Sequence, residues 1–321
     1  MSWVRQALDE YGLRLLVLCA VLVAMAIYSP GFNGEVAIFV SLERLMLLGV
    51  VAAGLALTMI AGELDLSVGS VAVLAGVVAI DLADLGLWPC VLIATAIAAL
   101  LGALQGMLIA KLGVNSLVLT IGALILWRGV AWVLAGGAPI SLKDFSISDA
   151  MLLRWGVFSL GSLIAIAVIA LVGIFLAVTK WGREIYAIGG ARSEAIAAGV
   201  PTTRPLILAF TISAACAGLA GALSSVKSAS VTPDSFGTLL LLAVAACLIG
   251  GIDVRGGRGD VLHIVLGVLI LSALSAGLAS GGAQAYYVEF VTGALLLIVV
   301  ALDFVLKGLR RRRLLALTAT S

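Results

Sequence analysis

Apolar residues in this chain run in long unbroken blocks, not in the alternation of a half-buried strand or the stripe of a soluble amphipathic helix. No charged residue falls within 85–110, 155–179, 205–226, 235–252 or 264–288. Each block approaches or exceeds the ~18–20 residues that a helix needs to cross a bilayer. Windows of hydropathy and the breaker residues between them predict ten spans: 15–28, 38–60, 68–82, 89–110, 117–134, 157–178, 206–226, 236–249, 261–279 and 288–306. The third and eighth are short. The fold class predicted is an all-α polytopic membrane protein of about ten transmembrane helices, with a broken or short helix near the GELDLSVGS segment. No linker or low-complexity stretch interrupts it, so residues 1–321 read as a single transmembrane domain.

Composition agrees. Hydrophobic residues make up 63% and charged residues 11% of 321, against roughly 45–50% and 25% in ordinary soluble domains. A soluble surface needs more charge than that. Fourteen of the nineteen basic residues fall on one side of a ten-span arrangement: Arg5, Arg14, Lys111, Lys180, Arg183, Arg192, Arg204, Arg255, Arg258, Lys307 and Arg310 to Arg313. By the positive-inside rule that side is the cytoplasm, and both termini lie there. The first block, preceded by Arg5 and Arg14, has no convincing small-residue cleavage site and is read as a retained helix. Four cysteines without C-x-x-C spacing and one histidine, His263, point to neither a disulfide set nor a metal centre.

Three polar segments stand out. In Gly62-Glu63-Leu64-Asp65-Leu66-Ser67-Val68-Gly69-Ser70, two carboxylates and two hydroxyls sit between apolar spans with almost no loop. Such a break survives at membrane depth when it is buried in protein or lines a wet cavity. Glu63, Asp65, Ser67 and Ser70 are therefore candidates for a translocation pathway, as are Asn115, Ser116 and Thr120 at the start of the fifth span. Helix capping by Asp65 or Ser67 is the other reading of the same residues. The second segment, 180–204, is basic and too long for a turn. Ser193 and Glu194 start a short helix in it, and Gly199 with Pro201 stops it. The third, Gly250 to Asp260, is a glycine-rich turn with Asp260 as cap of the next helix. It contains no phosphate-binding motif, and no Walker sequence occurs in the chain. Gly62 to Leu66 echoes Gly250 to Val254, which raises an internal repeat as a hypothesis. Gly102/Gly106 and Gly277/Gly281 have the G-x-x-x-G spacing of close helix packing. Arg128, inside the fifth span, is read first as snorkelling to the interface and otherwise as pairing with a carboxylate, and His263 as a solvated or capping residue.

Together these segments resemble the permease subunits of bacterial ABC importers for monosaccharides, of the ribose, xylose and galactose type, within the wider branched-chain amino acid permease group. The family's G-G-x-D-L-S-V-G-S, G-R-x-x-Y-A-I-G-G and G-G-x-x-x-x-G-G-R-G patterns correspond to Gly62–Ser70, Gly182–Gly190 and Gly250–Gly259, in order. Gly113 to Ser116, with Arg128 and Gly129, fits the family's fifth span. The resemblance implies a non-enzymatic membrane subunit working as one of a pair, identical or homologous. It implies an ATPase-coupling loop built from Arg183, Glu184, Tyr186, Gly189, Gly190, Arg192, Glu194 and Gly199. It also implies an ATP-binding cassette subunit that binds the ATP, so that this chain carries no cofactor, and a periplasmic sugar-binding protein. Glu63 stands where the family usually has glycine, and Ala191 where asparagine is common.

Two other readings use the same residues. A related ABC permease for amino acids or another small polar solute would share the architecture. An ion-coupled secondary transporter would use Glu63 and Asp65 as coupling carboxylates. An intramembrane enzyme is disfavoured, since a lone histidine without a spaced nucleophile offers little for catalysis.

Overall fold

A computed structural model describes the backbone of residues 2–29, 32 and 34–318, and the side chains of 11–29, 32, 34–35, 38–299 and 301–302. The apolar blocks fold as helices because a helix satisfies every backbone polar group internally, which lipid demands. In chain order they are α1 (Ser2–Tyr28), α2 (Glu35–Arg44), α3 (Val50–Ile60), α4 (Val68–Asp81), α5 (Leu87–Leu112), α6 (Ser116–Leu134), α7 (Ser146–Leu152), α8 (Leu160–Val178), α9 (Lys180–Gly190), α10 (Arg192–Ala197), α11 (Thr203–Lys227), α12 (Leu239–Gly250), α13 (Val261–Ser280) and α14 (Ala285–Thr318). A π-helical stretch, Leu45–Gly49, joins α2 to α3 without a break.

Among the described residues seven helices are long and apolar enough to cross a membrane: Tyr11–Tyr28, Ile38–Ile60, Leu87–Leu112, Ser116–Leu134, Leu160–Val178, Thr203–Lys227 and Val261–Ser280. Three shorter apolar helices, Val68–Asp81, Leu239–Gly250 and Ala285–Val299, fall where the remaining predicted spans lie. The basic tail 307–321 continues α14 as helix to Thr318, and its side chains lie outside the described residues, as do those of Arg5 and residues 319–321 altogether.

α3 is central: every residue from Val50 to Ile60 is buried. α11 packs beside it and against α4 and α5 through residues too small to hold the backbones apart. A Cβ added at Gly54 would lie 2.7 Å from the Cys216 Cβ, and one at Gly221 would lie 2.1 Å from the Ala72 carbonyl oxygen. The two small-residue pairs act as expected. Gly102 and Gly106 press on Phe210 and Ile207 of α11, and Gly277 and Gly281 press on Met25 and Tyr28 of α1. α6 and α8 instead turn Leu117, Val118, Ile125, Val133, Leu171 and Ile174 outward as an exposed apolar surface.

The bundle has two unlike ends. At one, here the basic end, the α3–α4 junction meets α9, α10 and the α12–α13 turn. At the far end two short ladders form. β1 (Ile140–Ser141) pairs antiparallel with β4 (Ser230–Val231), and β2 (Arg154–Trp155) pairs with β3 (Phe158–Ser159).

Candidate coupling and translocation site

The three polar segments singled out in the sequence converge at the basic end. α3 closes with a left-handed Gly62 (φ 78°), the Gly62 N–H bonding the Met59 carbonyl at 2.9 Å and the Glu63 N–H the Thr58 carbonyl at 2.9 Å. This is a Schellman cap, which satisfies the Thr58 and Met59 carbonyls and leaves that of Ile60 for another partner. α12 closes in the same way: Gly251 (φ 108°) donates to Leu248 at 3.0 Å and Ile252 to Cys247 at 2.9 Å. After each cap an aspartate accepts the amide two residues on, Asp65 from Ser67 and Asp253 from Arg255, both at 3.0 Å. The echo seen in the sequence is thus a shared local conformation. Its register differs by one residue, because Gly62 matches Gly251 and not Gly250.

Backbones then touch directly. The Gly257 N–H donates to the Ile60 carbonyl at 2.8 Å. A Cβ at Gly189 would lie 1.8 Å from that same oxygen, and one at Gly257 would lie 2.4 Å from the Gly190 Cα. No side chain fits at either place. Around this contact the Tyr186 hydroxyl of α9 donates to the Gly259 carbonyl at 2.6 Å. Arg192 of α10 reaches Glu63 at 2.6 Å, with the Glu63 side chain 11% exposed. Arg183 bonds the Val178 carbonyl at 3.1 Å, and Thr179 caps α9 by accepting the Gly182 N–H at 3.0 Å. Gly199, at φ 80°, ends the α10 turn. Glu194 is exposed and Glu184 half-buried, with no part in the contact.

Asp260 caps α13, as expected, accepting the His263 N–H at 3.0 Å. His263 is not solvated: it is buried, its ring contacts Asp260 at 2.8 Å, and it packs on Tyr11 with centroids 4.8 Å apart. The Tyr11 hydroxyl also donates to Asp260. Burial opposes ionisation of Asp260, but the hydrogen bonds from His263 and Tyr11 prevail and hold its carboxyl down at about 2. Burial, and then the Asp260 charge, push the Tyr186 hydroxyl up to about 12.

Behind the junction lies a buried polar cluster. Asp65 is wholly buried and accepts from the Ser67 hydroxyl at 2.6 Å and from the Ser213 hydroxyl of α11 at 3.0 Å. Ser67 also lies 3.1 Å from the Gln105 side-chain amide of α5. Its single proton goes to Asp65, so the amide satisfies this contact by presenting its NH2 end. That orientation also accounts for the buried Gln105 Nε2, which otherwise lacks a partner. Thr120 of α6 donates to Ser116 at 2.8 Å and approaches the Leu64 carbonyl at 3.3 Å. Ser70 bonds the Ser67 carbonyl at 2.8 Å.

The predicted pathway residues therefore separate. Glu63, Asp65, Ser67, Ser70, Ser116 and Thr120 gather at one junction. Asn115 is exposed at its edge and caps α6, accepting from the Leu117 and Val118 amides at 3.0 and 3.3 Å. Ser67 occupies the cap position of α4 without capping it by its side chain. Gln105 and Ser213 were not singled out. Their only signal was an uncharged polar side chain within an apolar span. Glu43, beside Arg44 in the sequence, was not singled out either; it pairs with Lys227 across the far end of the bundle. Among the described residues no group of three or more His, Cys, Asp or Glu side chains could hold a metal ion.

Residues 37–300 match the family described as branched-chain amino acid transport system / permease component. The chain belongs to that permease family. The permease is 31% identical over 302 residues to the L-arabinose transport system permease protein of Escherichia coli (strain K12), covering 92% of this chain and 90% of the relative. It is 35% identical over 306 residues to the autoinducer 2 import system permease protein of Enterobacter sp. (strain 638), covering 91% and 84%. It is 30% identical over 301 residues to the ribose import permease protein of Escherichia coli (strain K12), covering 91% and 92%. No solved structure matches. The permease is a multi-pass membrane protein, and its relatives are transport proteins, not enzymes.

Proposed function

We infer that this permease is the membrane subunit of an ATP-driven importer for a monosaccharide or a close carbohydrate analogue in a bacterial inner membrane. The relatives named above carry L-arabinose, ribose and autoinducer 2 in their names, and others are named for D-allose and fructose. The observation that carries the reading to mechanism is the direct contact between α9–α10 and the α3–α4 junction. A surface available to a partner thereby bears on a buried polar cluster.

In this reading all ten apolar segments cross the bilayer, with both termini and the basic end in the cytoplasm. Two permease subunits form the path. An ATP-binding cassette subunit docks on Arg183 to Gly199 and supplies the ATP site that this chain lacks. A periplasmic binding protein delivers the sugar to the far end. Closure of the ATP-binding subunits moves α9 and α10 and rocks the helices in alternating access. The segment from Glu63 to Ser70, with Asn115, Ser116 and Thr120, flanks the path. Asp65 and Ser67 hold its shape, and neighbouring backbone meets the solute.

The test is ATP hydrolysis in proteoliposomes containing the permease with its ATP-binding and binding-protein partners, challenged with L-arabinose, D-ribose, D-allose, D-fructose and autoinducer 2. Stimulation by one of these that disappears when 183–199 is disrupted supports the importer. Uptake by the purified permease alone, driven by an ion gradient, would replace it with the secondary-transporter reading.

A further inference from the structure

We propose that Glu63 and Arg192 form a transmission latch, through which movement of α10 is passed to the Asp65 cluster. The proposal rests on the reading of 183–199 as the docking loop and adds a positioning role for one residue pair.

Glu63 lies at a position that no helix controls. The Schellman cap ends α3 at Gly62, and regular structure resumes only at α4. On one side the Glu63 carboxylate is held by Arg192 at 2.6 Å, across 129 residues of sequence. On the other side, one and two residues along, the chain is tied to three further helices. The Leu64 carbonyl faces Thr120 of α6, Asp65 accepts Ser213 of α11, and Asp65 binds Ser67, which contacts Gln105 of α5. The segment 63–67 is therefore a short strut. One end is grasped by the surface helix and the other is anchored in the centre of the bundle.

The strut has no slack. Asp65 and Ser67 are fully buried with their polar atoms engaged, and Glu63 itself is nearly so. Arg192 is half-exposed, at 47%, so the pair has a free end facing a docking partner and a fixed end facing the interior. The Gly189 and Gly257 contacts on Ile60 prevent α9 from sliding past α3. Displacement of α10 then leaves Glu63 as the side-chain link that moves with it. A glycine at this position would offer no such link, and docking would act through the backbone contacts alone.

The experiment measures solute taken up per ATP hydrolysed by the complete complex in proteoliposomes. The probe is whichever of L-arabinose, D-ribose, D-allose, D-fructose or autoinducer 2 the unmodified complex accumulates. Glu63→Gln and Arg192→Gln are each expected to lower that ratio about threefold or more, while the ATP-binding subunit still co-purifies. The exchanged pair, Glu63→Arg with Arg192→Glu, is expected to recover at least half of it. Single variants with an unchanged ratio, or an exchanged pair no better than the singles, would overturn the latch. Loss of the ATP-binding subunit on Arg192→Gln but not on Glu63→Gln would also overturn it. Arg192 would then be a docking contact, and the docking-loop reading would stand. If neither the singles nor a disrupted 183–199 segment altered co-purification or hydrolysis, the docking-loop reading itself would fall, and the latch with it.

Discussion

The two ends of the bundle are held together by different physics. At the basic end the decisive contacts are between backbones: Gly257 N–H to Ile60 carbonyl, Gly189 against the same oxygen, and helix caps at Gly62 and Gly251. These contacts leave no room for a side chain, and a small displacement breaks them. At the far end two short strand ladders and the largely buried Glu43–Lys227 pair are supplemented by ion pairs between side chains on the surface. Arg128 pairs with Asp234, Arg154 with Glu35 at 2.8 Å and Lys143 with Asp84 at 3.7 Å, the last pair 85% and 72% exposed. Exposed pairs of this kind contribute about 0–1 kcal/mol and exchange readily with water. The proposed function uses this difference: movement is passed on where backbones are in contact, and opening falls where exposed side chains pair.

The sharpest way to break the comparison is Gly189→Ala. Its methyl group has to displace the Ile60 carbonyl, and overpacking costs typically ~1–3 kcal/mol or more. The expected result is the largest fall in thermal midpoint among the variants named here, with loss of assembly with the ATP-binding subunit. A normal midpoint would show that the backbones separate freely.

Asp65→Asn comes next. It keeps the shape but places an amide N–H among hydroxyl donors, and a buried mismatch of this kind costs about 1–3 kcal/mol. Transport is expected to fall by roughly tenfold, the change equivalent to about 1.4 kcal/mol, with assembly intact. Normal transport by Asp65→Asn together with Ser67→Ala would remove these residues from the pathway.

Asp260 sharpens the contrast through pH. Its carboxyl sits at about 2 in the folded protein, against 3.8 for the free group. A depressed value means that its stabilisation is fully present above the unfolded value and is lost as pH falls through 3.8 towards 2. The thermal midpoint of the unmodified protein should therefore exceed that of Asp260→Asn at about pH 5, and the gap should shrink as the pH approaches about 2. The smallest effect is expected at the far end, where Asp84→Asn should change stability by no more than about 0.5 kcal/mol.

Much of this could be read in the sequence because lipid imposes a local rule. Apolar length locates helices, and polar residues with unusual backbone locate their ends. Asp260 was legible as a cap for that reason, and the glycine pairs as packing surfaces, whereas Asn115, read as a pathway residue, caps α6. What escaped depends on partners distant in the chain. Arg128 reads as a snorkelling cation or as one seeking a carboxylate, and only the fold shows that the carboxylate is Asp234, 106 residues away. Gln105 and Ser213 are uncharged polar residues in apolar helices, and only the fold brings them to Asp65. Glu63 stood out by its charge in a family glycine position, but its partner Arg192 lay in a segment read separately. His263 was read as solvated or capping because a turn precedes it; it takes part in the Asp260 cap, but α1 returns to bury it with Tyr11.

The central claim is that movement enters at α9–α10 and passes to the α3–α4 junction. Hydrogen–deuterium exchange on the assembled complex, with and without ATP, tests it most directly. The account predicts that amides in 182–199 and 61–67 change protection together, while the Ile140–Val231 ladder responds less. A change confined to 182–199, or one centred on the far end with 61–67 silent, would contradict it.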